Sequence, residues 1–364
     1  MSKIISRRDF LSYAAAGVAS TAAGVLPTAA KAQGLTKVKY TTPWVAEGSS
    51  LYAYVAKRQG FWKKRGLDVD VARGYGSVAA TQAIAAGQFD VGHAVTSVMI
   101  LQNAKGLPLQ SIAQLTYRNT MGVLVLADSP IKTPKDLEGK TLGVTPSSGE
   151  VPFLPVFARN SGLDLSKVKL VNMNIEVRYR ALMEKQIDAM TDFGISAIPP
   201  LITQGYPVRC MLFSNYGMDM YESSLMATPK TIKERPEMLQ GIVDGAMEAV
   251  AFSLLNPEKA LDIFMEEVPE AGMSAKGRDN VKAGLGIFQF AALGEEARRS
   301  GFGWANAKNY AEMNDLVNTY LMKGGPKPAV DSLYTNRFAG KIKFDDAQWA
   351  RAKKRNEEFA KFFT

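Results

Sequence analysis

An α/β chain of two similar lobes with a helical C-terminal part is what this 364-residue sequence predicts. Three observations predict it: an ordered strand–helix echo between the first and middle thirds, a length beyond one core, and helical apolar spacing after Met238. Roughly 330 residues remain once an N-terminal leader is set aside, more than a single hydrophobic core usually supports.

The echo begins at residues 38–41, a β-rich run ending in Thr42-Pro43. A helix-like stretch follows through Leu51, Tyr54 and Val55, then Gly66-Leu67-Asp68 and a second strand over 69–72. The loop 73–77 opens a helix that stops near Gly87, and Gln88-Phe89-Asp90 leads into a strand over 91–96. In the middle of the chain, strand 141–144 ends in Thr145-Pro146 and a helix-like run covers 151–160. Gly162-Leu163-Asp164, strand 168–173, a helix through 180–184, Gln186-Ile187-Asp188 and strand 189–193 follow in the same order. Repeated strand–helix–strand units imply parallel sheets.

Beyond Met238 the pattern is helical. Leu239, Ile242, Val243, Ala246 and Val250 recur at 3- and 4-residue steps, the spacing of a core-facing stripe. Asn256-Pro257-Glu258 reads as a cap with Pro opening the next helix, and another helix passes through Tyr310, Met313 and Val317 towards Gly324-Gly325.

The N-terminus carries a different signal. Ser6-Arg7-Arg8-Asp9-Phe10-Leu11 is a twin-arginine pattern, followed by a short run of Ala, Gly, Ser and Thr and by Ala30-Lys31-Ala32, an A-x-A cleavage pattern before Gln33. These parts describe a signal peptide over residues 1–33, cut after about Ala32, with the periplasm as destination and the twin-arginine export machinery as partner. No later segment reads as a membrane span. Cleavage would remove Lys3, Arg7, Arg8 and Lys31 with Asp9, lowering the net charge from +9 to +6. That mild excess suits solubility or an anionic ligand, and no nucleic-acid-binding motif accompanies it. Cys210 and His93 are the sole residues of their types, so no internal disulfide and no Cys/His zinc site is expected. No cofactor is expected either, and the protein reads as a monomer.

Ligands of open α/β sheets bind at the carboxyl ends of strands, where helix N-termini present free N–H groups. The echo therefore nominates loops 44–50, 74–77 and 93–97 in lobe one, and 147–150, 172–178 and 191–194 in lobe two. Within or beside them, Trp44, Tyr75, Tyr216 and Tyr221 either stack a planar ligand or pack the cleft walls. Gly74-Tyr75-Gly76-Ser77-Val78-Ala79 imitates a dinucleotide fingerprint, but Asp90 precedes the next strand instead of ending it, so a tight turn into a helix fits better. Ser50, Gly76, Ser77 and Thr96 add polar or backbone donors. Ser147-Ser148 holds an anion or simply caps a helix. Arg178 pairs an anion or stays solvated, and Asp192 accepts from an amine or ring N–H or from a nearby backbone donor. His93 contacts ligand or is a satisfied buried group, and no nucleophile elbow accompanies it.

At these residues the sequence resembles the solute-binding proteins for nitrate, sulfonates, taurine and thiamine-pyrimidine precursors (NMT1/THI5-like). Gly60-Phe61-Trp62-Lys63-Lys64-Arg65-Gly66-Leu67-Asp68-Val69 follows that family's G-[FY]-[FW]-x-x-x-G-L-D-V pattern. Ala86-Gly87-Gln88-Phe89-Asp90-Val91-Gly92 follows A-x-G-x-x-D-[VIL]-G, and Ser129-Pro130-Ile131-Lys132 with Asp136-Leu137-Glu138-Gly139-Lys140 follows S-P-I-K…D-L-x-G-K. The resemblance implies a type II periplasmic-binding fold in which two strands cross a hinge near 118–122 and 216–222. Lobe one would comprise 35–118 plus 222–364 and lobe two 119–221, with an ABC-type permease as partner. It implies capture of a small molecule without catalysis. The related pyrimidine-precursor enzymes use a histidine with a cysteine-rich segment, and the lone Cys210 departs from that pattern, although His93 keeps an enzyme alternative in view. Loop aromatics with Asp192 favour a planar nitrogenous ligand, while the basic balance and Ser147-Ser148 favour a small anion such as a sulfonate or carboxylate.

Overall fold

The computed structural model describes residues 34–363, so the export signal and its cleavage point lie outside the described residues. In chain order the strands are β1 (Thr36–Thr41), β2 (Leu67–Ala72), β3 (Val91–Val95), β4 (Gln110–Thr116), β5 (Met121–Leu126), β6 (Thr141–Val144), β7 (Lys169–Asn172), β8 (Ala189–Phe193), β9 (Val208–Leu212) and β10 (Ser223–Ala227). The helices that matter for the site are α1 (Leu51–Arg58), α2 (Ser77–Ala85), α3 (Thr96–Ala104), α4 (Leu154–Ser161), α5 (Ile175–Met183), α6 (Gly194–Thr203), α7 (Pro229–Glu234), α8 (Pro236–Leu255), α9 (Pro257–Glu267) and α10 (Gly277–Ala292).

The strands form two five-stranded sheets, ordered β2-β1-β3-β10-β4 and β7-β6-β8-β5-β9. In the first, β1 pairs parallel with β2 and β3, and β10 runs antiparallel between β3 and β4. In the second, β6 pairs parallel with β7 and β8, and β5 runs antiparallel between β8 and β9. The expectation of parallel sheets is thus corrected. Each sheet is mixed because the first strand after each crossing, β5 or β10, enters against the direction of its neighbours.

The echo has a physical basis in both sheets. Gly66 and Gly162 hold φ of 75° and 72°, a left-handed turn that ends one element and aims the next strand back at the sheet. The Asp90 carboxylate accepts from the Lys39 N–H at 2.8 Å, and the Asp188 carboxylate accepts from the Thr141 N–H at 2.8 Å. Each aspartate pins the start of its sheet's parallel pair, which fixes where the strands end and the ligand-side loops begin.

The C-terminal part backs the first sheet. Helix α8 buries Leu239, Ile242, Val243, Ala246 and Val250 and packs on α1. The Trp62 indole N–H donates to the Ile242 carbonyl at 3.0 Å, and a Cβ at Gly245 would stand 2.3 Å from that ring. Contrary to the sequence reading, α8 is long and apolar enough to cross a membrane; its apolar residues are spent on this core. Helix α10 leaves the helical layer to pack against α6, which belongs to the second sheet.

Candidate functional site

Residues 117–120 and 213–222 are the two passages between the sheets. Glu222 ties them together. Its carboxylate Oε1 accepts from the Thr120 N–H at 3.1 Å and from the Thr120 hydroxyl, while its carbonyl accepts from the Thr96 N–H at 2.9 Å. Thr120 in turn receives the first N–H groups of α6, from Gly194 at 2.7 Å and Ile195 at 3.3 Å. Those helix-terminal donors are therefore satisfied internally and offer no anion seat.

The loops at the strand ends enclose a cavity of about 50 Å³ between the sheets, several times the ~10–15 Å³ that one water requires. One wall comes from the β1–α1 loop (Pro43, Trp44, Glu47, Ser49), the start of α2 (Gly76, Ser77), β3 (His93, Val95), the start of β10 (Glu222, Ser223) and Phe288 of α10. The other comes from Ser148 and Gly149 after β6, Asp192 and Phe193 at the end of β8, and Ile195 and Ser196 in α6. The walls meet tightly. A Cβ at Gly76 would stand 2.1 Å from the Ser147 carbonyl oxygen, and one at Gly149 would reach Val98 and Ser77 at 3.2 and 3.3 Å.

Of the residues nominated from sequence, Trp44, Gly76, Ser77, His93, Ser148 and Asp192 line this cavity. The other seven do not. Ser50 turns inward, its hydroxyl donating to the Glu47 carbonyl at 3.1 Å. Tyr75 stays 67% exposed with the Arg73 guanidinium over its ring. Thr96 is buried against Ser224 and Gln114. Ser147 faces Gly76 at the rim through its backbone. Tyr216 packs edge-on against Phe157, and Tyr221 is buried with its hydroxyl donating to Glu296 at 2.7 Å. Arg178 is fully buried, 2.6 Å from Asp192 and 3.7 Å from Glu150, so the expected anion-binding or solvated arginine is a structural counterion.

Several cavity residues were not singled out, above all Glu47, Ser196, Glu222, Phe193 and Phe288. Glu47 stood in a nominated loop, and an acid in a Gly/Ser-rich segment after a strand was the signal for it. Glu222 and Phe288 had none, since one lies in an aperiodic passage and the other in a helical stretch that the sequence reading did not single out. Phe288 does both jobs, stacking on Tyr52 with centroids 5.7 Å apart while lining the cavity.

The electrostatics are acidic. Burial pushes the Glu47 and Glu222 carboxyls up to about 7, opposed by hydroxyl donors from Ser196 and Ser49 for the first and by Thr120 for the second. Burial also raises Asp192, against the pull of Arg178. His93 is pushed down to about 3 by burial, so its imidazole is neutral, and its Nδ1 has no partner. The Cys210 thiol, packed behind Gly122 and off the cavity, is pushed up by burial and is no thiolate. Among the described residues, no three of His, Cys, Asp and Glu group as metal ligands.

Known proteins share this fold. The family described as NMT1/THI5 like matches residues 49–260. A formylaminopyrimidine-binding protein of Halalkalibacterium halodurans is 25% identical over 246 residues, 67% of this chain and 74% of its own. A 4-amino-5-hydroxymethyl-2-methylpyrimidine phosphate synthase of Legionella pneumophila is 22% identical over 59% of this chain and 69% of its own. Among solved structures, a Bordetella bronchiseptica protein superposes with a TM-score of 0.68 at 21% identity, covering 88% of this chain and 98% of that one. The alkanesulfonate-binding protein SsuA of Xanthomonas axonopodis, bound to MOPS, superposes with a TM-score of 0.62 at 12% identity, covering 83% and 99%. The two-sheet fold is that of the periplasmic solute-binding proteins, and the chain belongs to the NMT1/THI5-like family.

Proposed function

We propose that this protein is an exported receptor that closes two lobes, 35–118 plus 222–364 and 119–221, on a small planar solute and hands it to an ABC-type permease. The observation that carries the reading is the cavity walled from both sheets, with Trp44, Phe193 and Phe288 as apolar faces and a small set of polar groups between them. Trp44, Gly76, Ser77, His93, Ser148 and Asp192 are the proposed contacts from the sequence, joined by Glu47, Ser196 and Glu222. Arg7-Arg8 would direct twin-arginine export with cleavage near Ala32, and the receptor would act as a monomer in the periplasm.

Turnover is no part of this proposal. A neutral, deeply buried His93 is a poor general base near neutral pH, and Cys210 lies off the cavity as a half-buried thiol whose pKa is raised. The relatives named as binding proteins support the same reading. Titration calorimetry with small-angle scattering tests it: reversible 1:1 binding with a smaller radius of gyration is expected, and chemical conversion of the bound solute would overturn it.

A further inference from the structure

The polar groups facing the cavity say more about the solute than its planarity. Glu47 and Glu222 both line it, one from the β1–α1 loop and one from the passage into β10. Each uses a single oxygen within the protein. Glu47 Oε1 accepts from the Ser49 and Ser196 hydroxyls, both at 2.6 Å, and Glu222 Oε1 takes both donors of Thr120. Oε2 of each accepts from none of the described residues. Asp192, the third carboxylate on the wall, is occupied by Arg178 and by the Phe193 N–H at 2.8 Å. An independent sign that something else belongs here is His93, which lines the cavity 3% exposed with Nδ1 unpartnered.

Among the described residues no arginine or lysine lines the cavity, and Arg178 stands behind Asp192 with two carboxylates on it. An anion enclosed here would meet three carboxylates and no arginine or lysine, and a charge buried without a partner is strongly disfavoured. A donor-rich cation would meet two open carboxylate oxygens beside the neutral His93 ring, with aromatic faces to lie against. Building on the receptor reading above, we infer that the solute is a planar, N–H-rich cation of the amidinium or protonated amino-heterocycle class, held through Glu47 Oε2 and Glu222 Oε2. This inference departs from the anion favoured by the net positive charge and Ser147-Ser148, because no Arg or Lys among the described residues lines the cavity.

Three isosteric probes separate charge from shape: benzamidine as a cation, benzamide as its neutral analogue and benzoate as the anion. Thermal shift and calorimetry on the full mature chain should rank them in that order, with benzamidinium about 10- to 100-fold tighter than benzamide, the scale of one charge-assisted hydrogen bond. Glu222→Gln and Glu47→Gln should each shrink that preference. Benzoate binding as tightly as benzamidine would overturn the charge assignment and leave the receptor reading standing. No stabilisation by any of the three would also overturn it, and a solute recovered from the native protein then judges the receptor reading separately.

Discussion

Glu47 Oε1, in the β1–α1 loop beside the first sheet, accepts a 2.6 Å hydrogen bond from the Ser196 hydroxyl in α6 beside the second. The same oxygen accepts from Ser49 at 2.6 Å. One carboxylate therefore bridges elements beside the two sheets across the cavity, and under the proposed closing motion the bridge forms only when the two sides meet. Ser196→Ala removes the partner on the far side of the cavity without touching the buried core. Ligand affinity should fall by about 1–2 kcal/mol, as for a hydrogen bond to a charged group, while ligand-free melting changes little. Calorimetry and melting on the same preparation check both halves.

The pH dependence of stability follows from Glu222. Its carboxyl is raised from 4.5 to about 7 by burial, so the folded state holds its proton more tightly than the unfolded state does. A raised pKa means stability that is full below about 4.5 and is lost as pH climbs through about 7, worth about 3 kcal/mol for a shift of this size. Glu222→Gln mimics the protonated form and still accepts from Thr120. The variant should match the wild type at pH 5 and melt several degrees higher at pH 8. Asp192, Glu150 and His93 titrate in both proteins, and Glu47, whose charge helps raise Glu222, is coupled to it, so the difference between the two curves reports Glu222 together with that coupling. Parallel curves across that range would contradict the assignment.

Closure is tested at Gly149, whose backbone is not left-handed but whose Cβ position lies 3.2 Å from Val98 and 3.3 Å from Ser77 across the cleft. Gly149→Leu has room only when the lobes part. Scattering should show that the variant keeps an expanded radius of gyration at ligand concentrations that compact the wild type, with affinity weakened about tenfold or more. Full compaction of the variant would place closure elsewhere.

The aromatic residues divide by where they sit. Trp44 lines the cavity at 9% exposure, whereas Tyr216 packs against Phe157 outside it. Trp44→Ala should cost about 1–3 kcal/mol of affinity. Tyr216→Ala should leave affinity unchanged and lower the melting temperature. Phe288→Ala should do both, because Phe288 stacks on Tyr52 in the core and faces the cavity.

The sequence made the parallel half of each sheet legible because the same three devices recur: the Thr-Pro strand end, the left-handed Gly before Leu-Asp, and the aspartate that accepts from a strand N–H. β5, β9 and β10 carried no such signal, and α6 was hidden by Pro199 and Pro200 inside it. The site was legible where it sits on the echoed loops, as with Trp44, Gly76, Ser148 and Asp192. It was not legible where two distant stretches meet. Glu222 acquires its role from Thr120, 102 residues away, and Arg178 loses its expected one to Asp192 and Glu150. Local pattern reports which loops reach the strand ends, but not which of their side chains are neutralised by partners.

The central claim, that the cavity captures a cationic solute reversibly and unchanged, is met most directly by recovering what the protein binds. The protein purified from the cells that make it should release, on denaturation, close to one equivalent of a single planar nitrogenous cation. That compound should rebind unaltered to the wild type and at least about tenfold more weakly to Glu222→Gln. A recovered anion, a compound converted on incubation, or one that rebinds equally to the variant would contradict the account.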